Sequence, residues 1–133
     1  MTFPSVLKTA AALALLCAAQ AQAALQVGDA APAFTTPAAV AGKPFTFDLA
    51  ATLKKGPVVL YFFPKAFTQG CTLEAHAFAE ATPRFAALGA TVVGMSHDDI
   101  ATLQRFSTEA CRDQFAVASD PQAQTCLLYT SDA

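Results

Sequence analysis

An α/β fold is what this sequence predicts, on two observations. β-Branched and aromatic runs of strand length recur at Val58–Phe63, Thr91–Met95 and Phe115–Ala118. Between them lie longer segments, Cys71–Leu88 and Asp98–Cys111, with apolar residues at helical spacing. Strands alternating with helices in this way build parallel units joined by right-handed crossovers.

Each element has its own signal. Phe45–Asp48 is expected as a short strand and Leu49–Lys55 as a helical turn. Val58–Phe63 is bounded by Gly56-Pro57 before and Pro64 after, so it is expected as a buried, central strand. The helix Cys71–Leu88 is expected to hold Leu73, Ala77, Phe78 and Phe85 on one face. Thr91–Met95 follows as the next parallel strand. Asp98–Cys111 is the second helix, capped by Ser96 or by His97-Asp98, with Ile100, Leu103 and Phe106 at helical spacing. Phe115–Ala118 is a short strand ended by the turn Ser119-Asp120-Pro121. Strand, crossover helix and parallel strand are the opening half of a thioredoxin-like fold.

The N-terminus is expected outside that fold. Residues 1–23 carry one charge, Lys8, then an apolar run from Ala10 to Ala19, then Ala21-Gln22-Ala23. That pattern is a signal peptide with an A-x-A cleavage site, too short and wrongly flanked for a membrane span. Cleavage is expected after Ala23, with Ala21 next; a lipoprotein reading through Cys17 is weaker, because Leu16 stands where a small residue is wanted. The expected location is therefore periplasmic or secreted, with no membrane attachment after cleavage. Loss of Lys8 would leave seven basic against ten acidic residues. No basic patch interleaved with aromatics is visible, so nucleic acid is not an expected partner. The remainder, roughly 110 residues, is the size of one domain.

The chemistry concentrates where the first long strand hands over to the first long helix. Cys71 stands at that junction, in PKAFTQGC. Unpaired N–H groups and the positive dipole end of a helix favour a thiolate there. An ordinary thiol, of pKa near 8.5, is only about 3% ionised at neutral pH. A shift of one unit needs about 1.4 kcal/mol, and a helix N-terminus typically supplies about 0.3–1, so further donors are needed. The Thr68 hydroxyl can donate to the sulfur or to a bound oxygen, the Pro64 ring can shield the pocket without a competing N–H, and Gly70 allows close approach of the backbone.

Pro64, Thr68 and Cys71 fill the spacing P-x-x-x-T-x-x-C, which resembles the active-site signature of the peroxiredoxins, the AhpC/TSA superfamily. VVLYFFPKAFTQGCTLEAHAF resembles the bacterioferritin-comigratory, or Q-type, branch; LQVGDAAPAF at 25–34, VVGMSHDD at 92–99 and FAVASD at 115–120 are similar to its flanking segments. The resemblance implies a thioredoxin-like peroxiredoxin fold and a thiol peroxidase in which Cys71 is the peroxidatic residue, supported by Thr68 and Pro64. Hydrogen peroxide or an organic hydroperoxide is the implied substrate, and no cofactor or metal is implied. The implied product is a sulfenic acid, resolved by a second thiol and then reduced by an exported thioredoxin-like protein or a small thiol. Many Q-type relatives carry that second thiol five residues on; here the position is His76, which leaves Cys111, read either as the resolving thiol or as a buried structural cysteine, and a one-cysteine mechanism with an external thiol is the third possibility. His76 and His97 are isolated and form no ligand-spaced cluster.

A thiol–disulfide oxidoreductase on the same scaffold would need C-x-x-C, whereas the segment TQGC has Thr68 at the first position. A thioredoxin-like module with an inert cysteine is the other alternative. The C-terminal end departs from the family pattern. After Asp120-Pro121 the resemblance implies further strands, a closing helix and an active-site arginine, and none of Arg84, Arg105 or Arg112 aligns with that arginine. Residues 126–133, CLLYTSDA, resemble sequencing-adapter read-through. The domain is thus expected over residues 24–125, incomplete at its C-terminus, followed by a non-native tail.

Overall fold

The computed structural model describes residues 24–130; the expected signal peptide, with Cys17, and the last three residues of the chain lie outside the described residues. The elements run β1 (Thr35–Val40), β2 (Lys43–Asp48), α1 (Leu49–Leu53), β3 (Val58–Phe62), α2 (Gln69–Ala87), β4 (Thr91–Ser96), α3 (Ile100–Glu109), β5 (Ala116–Ser119) and α4 (Gln124–Tyr129). The five strands form one mixed sheet in the order β2-β1-β5-β4-β3. Both α2 and α3 connect parallel strands, β3 to β4 and β4 to β5, as the alternation of runs predicts. The fold is α/β and thioredoxin-like.

Side chains alternate across the sheet and fill two cores. Val59, Tyr61 and Phe63 face one core with Val92 and Val117, against Ala75 and Ala79 of α2 and Leu103 and Phe106 of α3. Val58, Leu60 and Phe62 face the other with Val93, Met95 and Ala118, against Leu49 and Tyr129. Covering both faces explains why β3 and β4 are near-continuous apolar runs rather than alternating ones.

Several expectations are corrected. The strand Thr35–Val40 is one the sequence did not announce, because Pro37, Ala38 and Ala39 interrupt its β-branched ends. It exists because the hairpin turn Ala41-Gly42, with φ of 49° and 73°, folds it onto β2. Pro37 lies outside its two-residue ladder with β5, so the missing N–H breaks nothing there. The run Val58–Phe63 is not central among the described residues: β3 stands at the sheet edge, paired only with β4, and all five of its residues are half-buried.

In α2 the buried line is Cys71, Ala75 and Ala79, joined by half-buried Phe78 and Phe85, whereas Leu73 is 61% exposed and Ala77 is exposed. Small side chains let the helix sit close on the sheet, so its hydrophobic size is a poor guide to the inward face. The cap of α3 is Asp99, whose Oδ1 accepts from Thr102 N–H at 2.7 Å, not Ser96 or His97-Asp98. Cys111 is not in that helix; it follows the C-cap Ala110, with its N–H bonded to the Phe106 carbonyl at 3.0 Å. The expected tail enters described structure as most of α4, where the Tyr129 hydroxyl donates to the Pro32 carbonyl at 2.7 Å.

Candidate active site

The segment between β3 and α2 runs from Phe63 to Thr68 and delivers Cys71 as the third residue of the helix. Thr68 is the N-cap, with extended backbone (φ −70°, ψ 154°), and its carbonyl accepts from Thr72 N–H at 2.9 Å. Its hydroxyl does not cap the helix; it donates to the Lys65 carbonyl at 3.0 Å. Cys71 therefore lies among first-turn N–H groups that have no partner within the helix. Its side chain is buried, at 7% exposure, in the core shared by Phe63, Ala66, Phe106 and Cys111.

Pro64 directly follows Phe63, which packs in the same core as Cys71. It lines a cleft of about 440 Å³ at the carboxyl ends of the parallel strands, with Phe62, Met95, His97 and Asp120. Neither Cys71 nor Thr68 is among the residues lining that cleft. Thr68 and Cys71 share the start of α2, and Pro64 lies near the beginning of the loop that leads to it.

Cys111 is fully buried in the same core as Cys71, and both are free thiols. Burial pushes the Cys111 thiol up to about 12, so it is protonated at neutral pH. Tyr61, which the sequence reading did not single out, packs against this core; its ring stacks on Phe78 at a centroid distance of 4.2 Å. The phenol is held well above its usual range by burial first, then by Cys111, Glu74 and Cys71. Its buried hydroxyl has no hydrogen-bond partner among the described residues. No local pattern marks this residue, since it reads as one more apolar position in a strand.

Phe67 carries no local sequence signal either, and Arg105, which does not align with the family's active-site arginine, packs on it. Phe67 takes a left-handed backbone (φ 66°) in the loop, sets its ring edge-on to Phe106 at 5.2 Å, and carries the Arg105 guanidinium over its face at 5.1 Å. Arg105 also pairs with Glu109 at 3.3 Å, and Arg112 with Glu80 at 3.5 Å. His76 and His97 are not gathered with other ligands: no group of three or more His, Cys, Asp or Glu side chains suited to a metal occurs among the described residues.

Residues 27–132 match the AhpC/TSA family. The chain belongs to that family. A bcp peroxiredoxin homologue of Coxiella burnetii is 34% identical over 105 residues, covering 79% of this chain and 66% of its own length. The chloroplastic peroxiredoxin Q of Triticum aestivum is 42% identical over 67 residues, covering 50% of this chain and 30% of that one. Among solved structures, peroxidoxin BcpB from Mycobacterium tuberculosis superposes with a TM-score of 0.69 at 33% identity, over 77% of this chain and 64% of that one. The AhpC/TSA chain spans about half to two thirds of the length of the first bacterial relatives it matches.

Proposed function

We propose that this AhpC/TSA chain carries the peroxide-reducing site of a thiol peroxidase acting on hydrogen peroxide or organic hydroperoxides. The observation that carries the reading is Cys71, in the first turn of α2 behind the Thr68 cap, within the spacing Pro64, Thr68, Cys71. The thiolate attacks the terminal peroxide oxygen and the O–O bond breaks. Cys71 becomes a sulfenic acid, and the departing oxygen takes a proton to leave as water or an alcohol. Thr68 serves as donor only once its hydroxyl hydrogen turns from the Lys65 carbonyl toward the peroxide.

Condensation of the sulfenic acid with the Cys111 thiol would release water and form a disulfide, which an exported thioredoxin-like protein or a small thiol reduces. Since Cys111 is protonated and buried, this step requires α2 to open locally around Cys71. The same burial favours a second route, in which an external thiol attacks the sulfenic acid directly. The leader-like residues 1–23 support a periplasmic or secreted location, which N-terminal sequencing of the exported protein tests. Residues 126–133 are proposed as read-through; the Tyr129 packing against Phe34 and Phe62 is the observation on the other side. Sequencing the gene beyond the Pro121 codon decides it, and the same eight residues in the gene overturn it.

The central test compares peroxide consumption and Cys71 sulfenic acid in the wild type, Cys71→Ser and Cys111→Ser. Consumption surviving in Cys71→Ser removes the proposal. Mass spectrometry after one equivalent of peroxide should yield a linked Cys71–Cys111 peptide pair. Cys71 sulfinic acid with Cys111 still alkylatable supports the external-thiol route instead.

A further inference from the structure

We propose that Asp98 is the positioning residue that holds the Pro64–Thr68 loop, and through it the start of α2, in place for Cys71. Among the residues from Pro64 to Gly70, Ala66 alone is buried, at 5% exposure, and its flanks on both sides are exposed. The Ala66 N–H is also the group that leaves the loop for the rest of the fold, donating to Asp98 Oδ2 at 2.7 Å. The other side-chain bond of this loop, from the Thr68 hydroxyl to the Lys65 carbonyl, is internal to it. One buried methyl and one charge-assisted hydrogen bond, beside the half-exposed Phe67 ring on Phe106, therefore tether a segment whose other residues face solvent.

Asp98 is itself fixed. Its Oδ2 accepts a second bond, from the Ser96 hydroxyl at 2.7 Å, while its own N–H donates to Ser96 Oγ at 3.2 Å. Its carbonyl accepts from the Ser119 hydroxyl at 2.6 Å, and Ser96 and Ser119 are 2% and 3% exposed. The loop is thus referenced to the ends of β4 and β5, the two inner parallel strands. Asp98 adjoins Asp99, yet the two divide the work: Asp99 caps α3, and Asp98 turns back across 32 residues to the loop. An acceptor at this point is needed because Ala66 N–H, once buried, has no water to bond and would otherwise be unsatisfied. Freed from it, Ala66 and the Thr68 cap lose their register with β4, and the first turn of α2 loses its start.

The inference rests on the peroxidase reading for its kinetic arm alone. The test uses Asp98→Ala, Asp98→Asn and Ser119→Ala, with hydrogen exchange of the 64–72 backbone and the rate of Cys71 sulfenic acid formation by hydrogen peroxide at a fixed neutral pH. Asp98→Ala is expected to lose exchange protection at Ala66 and to form sulfenic acid at least tenfold more slowly. Asp98→Asn keeps one carbonyl oxygen for Ala66 N–H without the charge, and is expected to retain protection and to react within threefold of the wild type. Ser119→Ala removes the bond to the Asp98 carbonyl from the same strut without releasing Ala66. It is expected to lower the melting temperature, to keep protection at Ala66 and to slow sulfenic acid formation less than Asp98→Ala does. Equal losses in Asp98→Ala and Asp98→Asn would make the charge, not the tether, the cause and overturn the proposal. So would unchanged exchange at Ala66 in a folded Asp98→Ala, or lost protection with an unchanged rate. If wild-type Cys71 forms no sulfenic acid, the peroxidase reading and the kinetic role fall together, and exchange at Ala66 separately decides the tether.

Discussion

Gly94→Ala isolates the packing that holds β3, α2 and β4 together beneath the candidate site. Gly94 lies opposite Tyr61 in the β3–β4 register. A Cβ at this position would meet Tyr61 Cζ at 2.9 Å and both Cε1 and Oη at 3.0 Å. Ordinary carbon contacts lie near 3.5–4.0 Å, so the ring or the strand must move by about half an ångström or more. The ring has little freedom to do so, being stacked on Phe78 at 4.2 Å and in contact with Phe63 at 5.7 Å and Phe115 at 6.2 Å. Overpacking of this kind costs about 1–3 kcal/mol, and replacing a strand glycine returns about 0.4–1 through the unfolded state. A net loss of about 1–2 kcal/mol is expected, or about 4–15 °C in melting temperature for a domain of this size. Urea unfolding of wild type, Gly94→Ala, Tyr61→Leu and the double variant measures it. The shorter leucine side chain would lack the colliding Cζ and Oη atoms, so the double variant should be more stable than additivity predicts, by about 1 kcal/mol. A Gly94→Ala protein as stable as the wild type, or strictly additive pairs, would refute the close-approach argument.

Three other perturbations test separate parts of the structure. Tyr61→Phe removes a buried hydroxyl with no partner among the described residues and is expected to raise the unfolding free energy by up to about 1–3 kcal/mol; a loss of stability would show that the hydroxyl is bonded in solution. The Cys111 thiol is raised from 9.0 to about 12, so its contribution is whole below pH 9 and is lost as pH rises through 12, because the unfolded chain gives up its proton first. Stability should therefore fall between pH 9 and 12 more steeply in the wild type than in Cys111→Ala, by up to about 1.4 kcal/mol per pH unit, and parallel slopes in denaturant titrations would count against the burial. The edge of half-buried β3, which has no partner strand among the described residues, should make residues 24–133 self-associate with concentration, and a monodisperse monomer in sedimentation velocity is the contrary result.

The sequence by itself determined what depends on neighbours within a few positions. Gly56-Pro57 and Pro64 bracket the apolar run that becomes β3, and the helical spacing after Gly70 puts Cys71 in the first turn of α2. Those signals are local, as is the spacing of Pro64, Thr68 and Cys71. Only the tertiary structure decided the rest. Strand β1 owes its existence to partners in β2 and β5, the latter about 80 residues on, not to the propensities of TTPAAV. Ala75 and Ala79 face inward and Leu73 outward because close contact with the sheet needs small side chains, whatever the hydrophobicity. Asp98 and Asp99 look equivalent in SHDD, yet one caps its own helix and the other satisfies a buried N–H 32 residues away. The burial of Cys111, which sets its protonation, likewise comes from Tyr61, Phe106 and Phe115 arriving from separate elements. Sequence periodicity reports which segments can bury a face; which atoms meet across the core follows only when every segment packs at once.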